Sequence, residues 1–173
     1  MSHPLVSIIM GSDSDLPVMK ECALVLEEFG IAYEVVVSSA HRVPEGTAAF
    51  AREAASRGVE VIVAGAGVAA HLAGVIAALT PLPVIGVPIQ SGALQGLDSL
   101  YSIVQMPAGI PVATVAINGA RNAGILAAQI LGVKDPQLRE KIMAFKQKMT
   151  AKVVSKNEKL QEKGWRKYLE ENN

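Results

Sequence analysis

The chain has 173 residues, of which 50% are hydrophobic and only 4% aromatic, and its formal net charge at pH 7 is zero. A chain of this length can bury a full core as one domain without disulfides or metals. The balanced charge argues against a nucleic-acid partner and an acidic disordered tail, and Cys22, as the single cysteine, excludes an internal disulfide. We expect Cys22 to be a small core residue of a helix rather than a nucleophile.

The chain also lacks the sequence signals of a secreted or membrane protein. Residues 1–4 lead directly into a predicted strand, without the basic region and cleavage site of a signal peptide. Residues 61–89 carry no Asp, Glu, Lys or Arg and are long enough to span a bilayer, but glycines and prolines interrupt them. Two buried strands around a small-residue helix explain this segment better. We therefore expect a cytoplasmic protein with no membrane partner.

Apolar runs and helical patterns alternate along the chain. The apolar runs predict five strands, at residues 5–10, 33–37, 59–64, 83–87 and 111–117. Helical spacing of apolar residues, with Gly or Pro at the expected stops, predicts helices at residues 16–29, 44–57, 71–79, 94–104 and 120–131. Such alternation is typical of a parallel sheet covered by helices on both faces, so we predict a three-layer α/β fold.

A long amphipathic helix follows the last of these elements. Asp135 and Pro136 suit its N-cap and first turn, and its pattern continues to about Gly164. Its apolar residues recur every three or four positions, at Leu138, Ile142, Phe145, Met149 and Val153. Because no further strand remains for it to cover, we expect it to pack on another subunit; the alternative is a helix lying on its own domain. We expect residues 1–173 to form a single domain, with residues 135–173 as a helical extension.

Three predicted strands end in small or polar corners that suit a ligand. The corners are, in chain order, Gly11-Ser12-Asp13-Ser14-Asp15, Ser38-Ser39-Ala40-His41-Arg42 and Ala64-Gly65-Ala66-Gly67-Val68-Ala69-Ala70-His71-Leu72. Open α/β sheets bind ligands in the crevice outside the carboxyl ends of their strands. Histidine suits proton transfer near neutral pH, and arginine binds phosphate or carboxylate with two hydrogen bonds. The second corner therefore offers a proton shuttle, His41, beside an anion clamp, Arg42.

Each corner also has a purely structural interpretation. Ser14 or Asp15 can cap the helix after the first strand, which accounts for the residue types there without a ligand. His71 opens the next helix and on its own is more often structural, and glycine-rich turns after strands are common. The coincidence of three such corners at one sheet edge is what favours a binding site. The sequence has no metal-ligand spacing, Walker A motif, complete dinucleotide fingerprint or serine-hydrolase elbow, so we expect no metal.

These corners belong to a longer series of motifs. The series continues with Pro83-Val84-Ile85-Gly86-Val87-Pro88, Ser102-Ile103-Val104-Gln105-Met106-Pro107 and Asn122-Ala123-Gly124-Ile125-Leu126-Ala127-Ala128-Gln129-Ile130-Leu131. Over residues 6–131 it closely resembles the PurE family of de novo purine synthesis. The resemblance implies a flavodoxin-like three-layer fold and a homo-octamer. It also implies that a small ribonucleotide, carboxylated on its exocyclic nitrogen, is converted to its C4-carboxylated isomer without a cofactor.

The family has a mutase branch and a carboxylase branch, and the residues match the first. The carboxylase branch uses free carbon dioxide and has Lys after the motif His, whereas Arg42 follows His41 here. The resemblance makes His41 the general acid and base. It assigns the ribose phosphate and its hydroxyls to Ser12, Ser14 and Asp15, and the phosphate to Ser39 and Arg42. The remaining substrate-binding residues that it implies, chiefly around the base and carboxylate, are Ala40, Gly67, Ala69, Ala70, His71 and Leu72.

Two positions depart from the family pattern: Val68 stands in place of a Gly, and Ala73 in place of the usual Pro, while Ser38 and Val43 differ less seriously. If position 68 requires a positive φ, valine is strained there, and we expect the surrounding glycines to keep the backbone amides facing the ligand. Two other functions remain open, a related aminoimidazole ribonucleotide carboxylase and a nucleotide-binding module without catalysis. The His and Arg pair argues against the second, since a pure binder needs no proton shuttle.

Overall fold

The computed structural model describes residues 3–172. Five strands form its parallel sheet: β1 (Val6–Met10), β2 (Tyr33–Val37), β3 (Val61–Gly67), β4 (Val84–Ile89) and β5 (Ala113–Thr114). Their order across the sheet is β2-β1-β3-β4-β5, and each neighbouring pair is parallel. Valine and isoleucine dominate the central strands, as expected where helices bury both faces of a parallel sheet.

Helices cover the sheet on both sides. They are α1 (Leu16–Phe29), α2 (Pro44–Glu53), α3 (Leu72–Ala77), α4 (Leu97–Val104), α5 (Ala120–Gly132), α6 (Pro136–Lys163) and α7 (Trp165–Asn172). Successive residues of a strand point to opposite faces, and β1 accordingly serves two cores. Ile8 packs in the core with residues of α1, α5 and α6, and Ile9 packs in the core with residues of α2, α3 and α4. The predicted three-layer fold is confirmed.

The layer that contains α1 and α5 is closely packed. A Cβ atom on Gly124 would lie 2.3 Å from Val25 Cγ1, so only glycine allows the two helices to approach this closely. Cys22 is fully buried at the same contact, and burial raises the pKa of its thiol to about 12. The prediction that Cys22 is a core residue is confirmed, because a thiol with such a pKa is not a nucleophile at neutral pH.

β5 and β3 differ most from the sequence prediction, and β4 runs two residues beyond its predicted end, to Ile89. β5 pairs only over Ala113–Thr114 and lies at the edge of the sheet. Pro111 has no N–H to donate to the ladder before these residues, and after them the chain turns at Asn118, where φ is +58°. β3 extends to Gly67, three residues beyond its predicted end. The side chain of Met19 lies over Gly65, where a Cβ would be 2.4 Å from its sulfur, so a glycine-rich segment continues the strand instead of ending it.

The uncharged segment at residues 61–89 forms β3, α3 and β4, as predicted. None of the helices within residues 3–172 combines the length and apolar character that a membrane crossing needs.

The long helix α6 has two different halves. The Asp135 carboxylate caps it by accepting hydrogen bonds from the amides of Gln137 and Leu138, at 2.9 and 3.1 Å, as the sequence predicts. Its first turns pack on the core through Leu138 and Ile142. Farther along the same apolar face, the side chain of Val153 is 67% exposed. The predicted amphipathic face is therefore covered by its own domain only at the N-terminal end.

Candidate active site

The carboxyl ends of β2, β1 and β3 lie side by side, because these strands are neighbours in the sheet. The three predicted corners therefore meet, and they surround a cleft of about 410 Å³. The cleft is lined by Gly11, Ser12, Ser14, Asp15, Ser39, His41, Arg42, Ala66, Gly67, Val68, Ala70 and Ser91. The position agrees with the general rule for ligand sites in open α/β sheets.

The first corner is a short 3-10 turn, Asp13–Asp15, directly before α1. The hydroxyl oxygen of Ser12 caps this turn by accepting a hydrogen bond from the Ser14 amide at 3.3 Å, and the Ser14 hydroxyl donates to it at 2.9 Å. Asp15 occupies the N-cap position of α1, in agreement with the sequence interpretation, but the capping hydrogen bond from a side chain lies one turn earlier, at Ser12. Within the described part of the chain, the Asp15 carboxylate makes no capping hydrogen bond to α1.

Asp15 is the buried carboxylate of the cleft, with only 8% of its surface exposed. Burial raises the pKa of this carboxyl above its ordinary value, while a backbone hydrogen bond at Ser12 and the guanidinium of Arg42 act in the opposite direction. Burying a carboxylate costs free energy unless hydrogen bonds or a nearby cation compensate, and here the backbone at Ser12, the hydroxyl of Ser14 and the Arg42 guanidinium do so only partly, since the pKa stays raised. A ligand with hydroxyl groups would supply further hydrogen-bond donors to this acceptor-only carboxylate.

The second corner presents its side chains to the cleft. A tight turn forms where the amides of Arg42 and Val43 donate to the carbonyl of Ser39, at 3.2 and 2.8 Å. The Arg42 guanidinium reaches across to the first corner and donates to the carbonyl of Gly11 at 2.8 Å. A guanidinium has five N–H donors, so this contact fixes its position and leaves donors for an anion.

The third corner contributes mainly backbone. Val68 has a φ of +50°, in the left-handed region that glycine adopts without strain and a β-branched residue does not. Its amide donates to the hydroxyl oxygen of Ser91 at 2.9 Å. This amide is thus bound to a hydroxyl that itself lines the cleft, and the expectation that the amides of this loop face the ligand stays a prediction. The side chain of Val68 is 54% exposed.

The two histidines of the site differ in position. Their ring centroids are 6.2 Å apart at an interplanar angle of 83°, and only His41 lines the cleft. His71 is the N-cap residue of α3, near the end of the third corner, and is not among the residues that line the cleft. The carbonyl of His71 accepts a hydrogen bond from the Val75 amide at 2.9 Å, so its backbone begins the helix. The geometry thus gives His41 the more direct access to a bound ligand.

Most of the residues expected at the site meet in the cleft. Those that line it are Ser12, Ser14, Asp15, Ser39, His41, Arg42, Gly67 and Ala70. The other four, Ala40, Ala69, His71 and Leu72, lie beside the lining. Leu72 is 2% exposed and belongs to the core under α2 and α3, because the first turn of α3 directs it inward, and Ala40 packs against the same core.

Sequence reasoning missed four lining residues: Gly11, Ala66, Val68 and Ser91. The first three adjoin predicted site residues or lie between them, so a complete list of each corner would have included them. Ser91 follows β4, and its loop has the small residues of a flexible segment, but its approach to the cleft depends on strand register. Gly67 pairs with Ile89 across the β3–β4 ladder, which brings the start of the next loop to the third corner.

Residues 5–152 match the family model for AIR carboxylase. The chain belongs to this family. It is 62% identical over 168 residues to the N5-carboxyaminoimidazole ribonucleotide mutase of Pyrococcus horikoshii, covering 97% of this chain and 95% of the relative. Identity to the mutase of the same name from Thermotoga maritima is 58% over 166 residues, covering 96% and 97% of the two chains. The resemblance to PurE inferred from the motifs is confirmed.

Two further relatives complete the comparison. A phosphoribosylaminoimidazole carboxylase of Schizosaccharomyces pombe is 56% identical over 168 residues, but this chain spans only 30% of that protein. The fold is similar to the crystal structure of Treponema denticola PurE, with a TM-score of 0.83 and 30% identity over 91% of this chain and 98% of that one. The predicted flavodoxin-like architecture is confirmed.

Proposed function

We propose that this protein is an N5-carboxyaminoimidazole ribonucleotide mutase of purine synthesis. It moves the carboxylate from the exocyclic nitrogen of the aminoimidazole ring to C4 and so acts as an isomerase. One observation carries the proposal: a single cleft contains an imidazole, a guanidinium and a buried carboxylate. Family membership supports it, since relatives that match almost the whole chain at 62% and 58% identity are named as this mutase.

The cleft provides groups for both ends of a ribonucleotide. Arg42 and the hydroxyl of Ser39 bind the phosphate, because a guanidinium held at one nitrogen keeps further donors for phosphate oxygens. The Asp15 carboxylate accepts hydrogen bonds from ribose hydroxyls, and the hydroxyls of Ser12 and Ser14 add neutral contacts. The third corner then forms the wall against which the imidazole ring lies, with the ring carbon C4 directed at His41.

His41 moves a proton in each half of the reaction. The bond between the exocyclic nitrogen and the carboxylate carbon breaks, carbon dioxide is released, and the nitrogen takes a proton from the His41 imidazolium. The enamine-like C4 then attacks the carbon dioxide, and a new carbon–carbon bond forms. Finally His41 takes the C4 proton and the ring becomes aromatic again. One proton is given and one is returned, so the residue ends in its starting state.

A labelled substrate distinguishes this mutase from a carboxylase that uses free carbon dioxide. We would supply N5-carboxyaminoimidazole ribonucleotide with ¹³C in its carboxylate, in excess unlabelled bicarbonate, and analyse the product by mass spectrometry. A mutase that keeps carbon dioxide in the cleft retains the label at C4. Two results would indicate a carboxylase. One is a product without label, and the other is formation of product from unlabelled bicarbonate and aminoimidazole ribonucleotide as fast as from the carboxylated substrate. A protein that binds the ribonucleotide without forming product would be a binding module.

We also propose that the protein is a homo-octamer in which the C-terminal half of α6 contacts other subunits. The exposed apolar side chains of Met149 and Val153 continue the face that Leu138 and Ile142 bury against the body. Residues 135–173 thus act as a helical extension of a single catalytic domain. Sedimentation at micromolar concentration should give the mass of eight chains, and a monomer would contradict this assembly.

A further inference from the structure

Backbone strain is concentrated at one edge of the sheet. Among residues 3–172, the non-glycine residues with a positive φ are Val68 (+50°), Gln95 (+52°) and Asn118 (+58°). They follow the carboxyl ends of β3, β4 and β5, which is the edge that carries the cleft. A left-handed conformation at such residues costs on the order of 1 kcal/mol each, so it persists only where neighbouring groups hold it.

The segment formed by residues 90–92 contacts all three strained residues. The Val68 amide donates to Ser91 Oγ at 2.9 Å. The backbone amide of Gln90 donates to the side-chain oxygen of Asn118 at 2.8 Å. The side-chain amide of Gln95 donates to the backbone carbonyl of Gly92 at 3.0 Å. The strained positions are therefore hydrogen-bonded to one short loop, and Ser91 is the residue of that loop that lines the cleft.

Ser91 lies directly against the backbone of the third corner. A Cβ atom on Gly67 would be 2.6 Å from Ser91 Oγ, which shows how closely the hydroxyl approaches the end of β3. Below this contact, the buried hydroxyl of Ser99 accepts from the Ile89 amide at 3.0 Å and donates to the Ala66 carbonyl at 2.8 Å. The base of the loop is thus fixed to the same strand end that Ser91 touches.

We propose that Ser91 is a positioning residue of the substrate cleft. Its hydroxyl holds Val68 in the left-handed conformation and thereby sets the shape of the wall at residues 67–70. Without this hydrogen bond, Val68 relaxes to a negative φ, the peptide before it rotates, and the imidazole ring is no longer held with C4 at His41. The inference rests on the proposed mutase function for the identity of the substrate, but the link between Ser91 and Val68 does not.

The test compares Ser91→Ala with Ser56→Ala, a matched loss of a serine hydroxyl. The hydroxyl of Ser56 donates to the Glu53 carbonyl at 2.8 Å on an exposed turn remote from the cleft lining. We expect Ser91→Ala to lower kcat by about 10- to 100-fold, the range that misplacement of a bound substrate produces. KM should change by less than about threefold, because a lost positioning effect acts on the reaction step rather than on the phosphate and ribose contacts. Ser56→Ala should leave both constants unchanged.

Val68→Gly tests the link to the strained residue. Glycine adopts a φ of +50° without strain, so the double variant Val68→Gly/Ser91→Ala should recover at least half of the lost activity on a logarithmic scale. Hydrogen exchange of the Val68 amide gives a readout that does not depend on turnover, and it should accelerate in Ser91→Ala but not in Ser56→Ala. An unchanged kcat, additive effects of the two substitutions, or unchanged exchange at Val68 would overturn the inference. If the wild-type protein forms no product, the proposed function fails instead, and the exchange measurement still decides whether Ser91 holds Val68.

Discussion

The second and third corners lie on opposite sides of the same cleft but contribute in different ways. The second corner supplies side chains, His41 and Arg42, from an ordinary turn closed by backbone hydrogen bonds to Ser39. The third supplies shape, through Gly67 and a strained Val68 whose amide is held by Ser91. The comparison indicates a division between chemistry and positioning. Substitutions in the second corner should therefore remove the reaction, while those in the third should modulate it.

The largest expected effect is that of His41→Asn. Asparagine keeps hydrogen bonding and approximate size but cannot transfer a proton at neutral pH, so turnover should fall by at least ~10²-fold, within the ~10²–10⁴-fold typical of lost acid–base catalysis. Calorimetric titration should show that the ribonucleotide still binds. His71→Asn is the matched control and should lose less activity, since His71 is not among the residues that line the cleft. A dead His71→Asn beside an active His41→Asn would reverse the two roles.

A smaller effect, on binding rather than turnover, is expected for Asp15→Asn. The variant keeps the shape of the buried side chain but loses the charge that accepts ribose hydroxyls. Hydrogen bonds to charged groups contribute about 1.5–3 kcal/mol, so affinity should fall by about 10- to 150-fold, while the melting temperature does not fall. Asp15→Leu should abolish binding and spare the fold. Intact binding with about 1 kcal/mol of lost stability would instead mean that the role of Asp15 is only structural.

The pH dependence of stability should also differ between wild type and Asp15→Asn. The pKa of Asp15 in the fold is raised above its ordinary 3.8, mainly by burial, so the folded state binds this proton more tightly than the unfolded chain. The contribution of Asp15 to the free energy of unfolding is therefore fully present below pH 3.8 and declines as pH rises through the raised pKa. Urea unfolding at pH 4, 5 and 7 should show the Asn variant gaining stability relative to wild type as the pH increases. A constant difference would contradict the raised pKa.

The smallest effect is expected for Val68→Gly. Glycine removes the strain of a positive φ but gains freedom in the unfolded chain. Both contributions are on the order of 1 kcal/mol and oppose each other, so stability should change little. Turnover should be preserved or rise, because Ser91 still accepts the hydrogen bond from residue 68. A sharp fall in kcat would show that the valine side chain itself shapes the pocket, and the third corner would then supply more than backbone.

The two corners also mark what the sequence can predict. His41 and Arg42 were identifiable because their side-chain chemistry and their place after an apolar run are both visible in the sequence. The link between Ser91 and Val68 was not, because it joins residues 23 positions apart through the register of β3 on β4. The burial of Leu72 was not predictable for a related reason, since the orientation of the first turn of α3 decides whether it faces the cleft or the core. Local sequence patterns are enough to predict the strands and the residues at their ends. Contacts between the corners depend on how the strands are aligned in the sheet, which local patterns do not show.

The most direct test of the account is a crystal structure of the protein with aminoimidazole ribonucleotide bound. We predict that the phosphate lies at Ser39 and Arg42, that the ribose lies at Asp15, and that C4 is within about 3.5 Å of an imidazole nitrogen of His41, close to hydrogen-bond reach. A ring whose C4 is closer to His71 would contradict the role of His41. A ribonucleotide bound instead in the separate groove lined by Arg121, Lys141 and Lys148 would contradict the assignment of the cleft as the active site.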